Sequence, residues 1–149
     1  MEDVATTYRV FANCGKLSLI DAVFYNYRFR KDSILHSPSM KRLEDGVAGI
    51  KEMDSWLSPR YPNLKTEIDK WTVHAYLASL VDLYKQKEHD LRSEDIYTEI
   101  TTCLQVKMTT MKWPSLQIRD LCILFLFRSH LLSLAVNALS LWREIRHSA

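Results

Sequence analysis

Leu64 to Lys87 reads LKTEIDKWTVHAYLASLVDLYKQK, and the reading of this stretch decides the fold. Ile68, Trp71, Ala75 and Ala78 recur at steps of three and four, which places them on one face of a helix. Val73, Leu77, Leu80, Val81 and Tyr84 widen that face. A helix at a protein surface shows one apolar stripe; one that is apolar over most of its circumference is enclosed by other elements. The stretch therefore predicts a central helix. Asn63, at the end of the loop Pro59–Asn63, is its expected cap.

Helices are expected on both sides. Upstream, Ser37-Pro38 pairs a capping serine with a proline at the first helical position. Met40, Leu43, Val47, Ile50 and Leu57 follow at helical spacing, and Ser58-Pro59 is the expected stop. Gly46 and Gly49 lie one turn apart in this helix and allow close approach of another backbone. At the start of the chain, Glu2 to about Asn13 carries Val4, Tyr8 and Phe11 on one face and meets Gly15. Downstream, Ser93 with Glu94 and Asp95 predicts a helix start, and the helix runs to about Lys112 through Ile96, Ile100, Cys103, Leu104, Val106, Met108 and Met111. Trp113-Pro114-Ser115 breaks it.

The last segment, 116–147, is the most apolar. Leu121 to Phe127 is an unbroken apolar run, Arg128-Ser129-His130 interrupts it, and 131–142 is apolar again apart from Ser133, Asn137 and Ser140. It reads as one helix with a polar notch or as a hairpin of two, seated with 64–87 at the centre. Two readings compete: a partly exposed apolar face that binds another protein or a second copy, and a membrane span, since the apolar length suffices. Arg128 near its middle would oppose insertion by about 2.5–3.5 kcal/mol, so membrane association is not expected.

Segment 19–31 reads two ways. Ser18 before Leu19 and Ile20 resembles a capped helix carrying Ile20, Val23, Phe24 and Tyr27, which is the favoured reading. Val23, Tyr25, Tyr27 and Phe29 also alternate with Phe24, Asn26, Arg28 and Arg30, a strand pattern.

Composition agrees with helices. The 149 residues hold 3 Gly and 4 Pro, too few for the turns of an all-β fold. The expected fold is all-α: one domain, 1–149, a compact bundle of five to seven helices with a central apolar C-terminal helix or helical hairpin. The net charge is +2, with 6 basic and 2 acidic residues in 100–149. That asymmetry is weak for a dedicated nucleic-acid binder. Cys14, Cys103 and Cys122 give neither a disulfide framework nor zinc spacing, and read as buried, reduced thiols in a cytoplasmic or nuclear protein. Glu2 and Asp3 do not fit a secretory signal.

No catalytic constellation, glycine-rich phosphate loop or metal-ligand spacing stands out, so neither an enzyme nor a cofactor is expected. His74, on an apolar helix, reads as a satisfied core histidine. The helices carry more apolar positions than one stripe each requires. The expectation is a non-enzymatic adaptor or regulatory module that binds another protein, or a second copy of itself, through an apolar helical face or groove. A small viral regulator of a host protein would fit. Nucleic-acid binding is the alternative, led by Tyr25, Tyr27, Arg28, Arg30 and Lys31, where aromatic faces could stack on bases and cations meet phosphates. Candidate partner-binding residues are Tyr25, Tyr27, Arg28, Arg30, Trp56 and Trp142, the two tryptophans because they sit near helix ends.

Overall fold

Leu77 and Leu80, at the middle of the 64–87 stretch, are fully enclosed, and the helix that carries them is the hub of the molecule. The computed structural model describes residues 2–23, 25, 39–85, 91–111, 116–129 and 131. Five α-helices appear among them: α1 (Glu2–Asn13), α2 (Met40–Arg60), α3 (Lys65–Tyr84), α4 (Leu91–Thr110) and α5 (Ile118–Arg128). No strand occurs among the described residues. α3 packs against α2, α4 and α5; α2 also meets α4 and carries α1 on its other side.

The core is built where these faces meet. α2 supplies Leu43, Val47 and Ile50; α3 supplies Val73, Tyr76, Leu77, Leu80 and Leu83. Ile96, Ile100 and Leu104 enter from α4 and Leu124 from α5. Each such side chain contributes about 1.5–3 kcal/mol on leaving water. Gly46 and Gly49 are buried along the inner side of α2, where the absence of side chains permits the expected close packing.

Several boundaries differ from the sequence expectation. Ser37-Pro38 lies outside the described residues, and the cap of α2 is Ser39, whose backbone is extended and whose Oγ accepts the Arg42 N–H at 3.4 Å. Pro59 does not end α2. A proline removes only its own N–H, so the Tyr61 N–H still closes on the Leu57 carbonyl at 2.9 Å, and the break falls at Pro62. Asn63 does not cap α3, because Pro62–Leu64 forms a 3₁₀ turn that feeds directly into the helix. α4 begins at Leu91, which makes Ser93 a buried interior residue and not a cap. Trp113-Pro114-Ser115 lies outside the described residues, and Gln117 stands at the cap position of α5.

The helix expected from Leu19 does not form over the described residues 19–23 and 25. Leu17, Leu19, Ile20, Val23 and Tyr25 are all exposed, Leu19 completely so at 102%. A short amphipathic helix draws its stability from burying its apolar face. Among the described residues no element covers Leu19, Ile20 or Val23, so the helix lacks that support.

Candidate interaction surface

α5 has two unlike faces. Its inner side sends Leu124 into the core, with Ile123, Leu126 and Phe127 half-buried behind it. Phe127 meets Tyr97 edge-on at 6.4 Å, and Tyr97 meets Tyr84 in the same way at 6.4 Å. Its outer side carries Ile118, Leu121, Cys122 and Phe125, and every one of them is exposed. Ile118 is 81% exposed and Phe125 70%. These positions are related as i, i+3, i+4 and i+7, so they form one continuous stripe within an arc of about 100°. The Ser129 N–H closes on the Phe125 carbonyl at 3.0 Å and ends the helix. Arg128 is exposed beside it and needs no buried partner. α5 thus ends at Arg128, within the polar interruption; 132–149, Trp142 included, lies outside the described residues.

A buried carboxylate fixes the start of α5. Asp120 sits in its first turn, where a negative charge faces the positive end of the helix. It is buried, and its Oδ1 lies 2.9 Å from His74 Nδ1 on α3. His74 is half-exposed, so it is a satisfied histidine but not a core one. Around this pair Glu67, Lys70 and Trp71 of α3 and Leu116 and Gln117 of the approach to α5 line a cleft of about 630 Å³. Lys70 and Glu67 approach each other to 3.9 Å at its edge. The described lining holds four titratable side chains but no hydroxyl or thiol beside His74 for it to activate.

A second polar cluster joins α2, α3 and α4. Lys107 Nζ lies 2.6 Å from Asp54 Oδ1 and 2.5 Å from Asp69 Oδ1, and Lys65 Nζ reaches Asp69 Oδ2 at 2.8 Å. The Ser58 hydroxyl donates to Asp54 at 2.9 Å. Burial pushes the Asp69 carboxyl up, but the hydrogen bonds from Lys107 and Lys65 outweigh it and hold the group below its ordinary 3.8. Burial likewise pulls Lys107 down, and Asp54 and Asp69 more than restore it, leaving it above 10.5. Nearby, burial raises the Tyr76 hydroxyl, aided by Cys103, and burial raises Tyr84 to about 12. Both phenols stay neutral across the physiological range.

Tyr27, Arg28, Arg30, Lys31 and Trp142 lie outside the described residues. Tyr25 is exposed. Trp56 is half-buried, and its ring meets Tyr8 edge-on at 5.4 Å while the Arg60 guanidinium lies 4.3 Å above it. It helps to pin α1 to α2, beside an ion pair between Arg9 and Glu52. Phe11, expected on the packed face of α1, is exposed. The cysteines also depart from expectation: Cys14 and Cys122 are exposed and only Cys103 is half-buried. No family model, curated protein or solved structure matches the chain. Among the described residues no helix is long and apolar enough to cross a membrane.

Of the readings of 116–147, the partly exposed apolar face describes α5 over the described residues, with Leu124 buried on one side and Ile118, Leu121, Cys122 and Phe125 open on the other. The contacts that join helices in the two polar clusters were not legible, because His74–Asp120, Asp54–Lys107 and Asp69–Lys107 are 38 to 53 residues apart in the chain. One signal was present. Asp69, Thr72, Tyr76 and Ser79 put a file of polar groups along the buried side of α3, and an acidic residue in such a file requires a cationic partner.

Proposed function

We propose that the protein is a non-enzymatic interaction module, an adaptor or regulator, that docks another protein chain on the outer face of α5. The observation that carries this reading is the stripe Ile118, Leu121, Cys122 and Phe125, contiguous, apolar and open among the described residues. A helix face of this spacing is what a helix-in-groove or helix-on-helix contact uses. The face is rigid, because Leu124 in the core and the His74–Asp120 contact hold α5 against α3. A preorganised surface loses little conformational freedom on binding. The His74–Asp120 pair reads in this account as a clasp between helices.

The test is affinity capture with the full chain, run in parallel with the double variant Leu121→Glu/Phe125→Glu and with Leu19→Asp, at low and high salt. The reading expects a partner that survives high salt, is lost with the α5 variant and is kept with Leu19→Asp. An α5 variant that captures the same partners as the parent chain contradicts it. Capture that disappears at high salt would favour nucleic acid instead.

A further inference from the structure

We draw no further inference here: the strongest candidate, the cleft between α3 and the start of α5 lined by Trp71, His74 and Asp120, carries nothing beyond the clasp already described, since the buried Asp120 carboxylate is paired with His74 and nothing at this helix N-terminus shows what ligand would occupy it.

Discussion

Replacing Lys107 with Met removes the cation that joins three helices. Lys107 is 12% exposed at its side chain, and Asp69, its partner on α3, is 4% exposed. The methionine fits the aliphatic stem but leaves two carboxylates facing each other across the vacated position. Asp69 keeps Lys65 and Asp54 keeps the Ser58 hydroxyl, so neither is stripped of every partner. Breaking a buried pair from one side costs about 3–5 kcal/mol, because the remaining charge stays out of water. At about 2–4 °C per kcal/mol for a chain of this size, Tm falls by about 6–20 °C. Urea unfolding followed by circular dichroism and tryptophan fluorescence measures the loss. The triple variant Lys107→Met/Asp54→Leu/Asp69→Leu recovers most of it, since apolar replacement of a whole buried ion cluster is near neutral. A loss below about 1 kcal/mol for Lys107→Met, the range of exposed ion pairs, would show that Lys107 is not a buried link between the helices. The same cluster sets a pH window. Asp69 is held below its unfolded value, so its contribution is present above pH 3.8 and is lost as pH falls through the lower folded value. Lys107 is held above 10.5, so its contribution is present below that pH and is lost as pH rises through the higher folded value. The contribution of this cluster should be constant between these limits, and Lys107→Met should flatten the acid limb that Asp69 supplies.

Other perturbations have different signs. Thr72→Val should stabilise the fold by about 1 kcal/mol, because the buried Thr72 Oγ1 has no hydrogen-bond partner among the described residues; chemical denaturation reads it, and a loss of stability contradicts it. Leu104→Ala, fully buried where α4 enters the core, should cost about 2–5 kcal/mol, whereas Leu19→Ala should change stability by less than about 0.5 kcal/mol. Asp120→Asn should weaken the hold of α5 on α3 by about 1.5–3 kcal/mol. Hydrogen exchange should then quicken across Ile118–Arg128 before it quickens in α3, and uniform protection would contradict the clasp.

The helical architecture was legible because apolar spacing is a local property. The central role of 64–87 followed from its breadth of apolar positions, and α1 runs over the residues its pattern marks. Local cues failed where tertiary context decides. Leu19 and Ile20 follow a plausible cap, yet no described element covers them, and the helix is absent over 19–23. Ser93 carries a capping signal, but α4 starts two residues earlier and buries it. Trp56, a candidate partner anchor by its place near a helix end, also packs against Tyr8 and Arg60. Lys107 lies among threonines and reads as an ordinary surface cation, because its partners come from two other helices. The candidate face was hidden for the same reason. An apolar residue on α5 reads alike in sequence whether it points to Leu77 or to solvent, and only packing separates Leu124 from Phe125.

Docking on α5 is tested most directly by affinity capture with the full chain beside Leu121→Glu/Phe125→Glu at high salt. A partner retained by the parent chain and lost from the folded variant is the expected result. Capture of the same partners by both would contradict docking on this face.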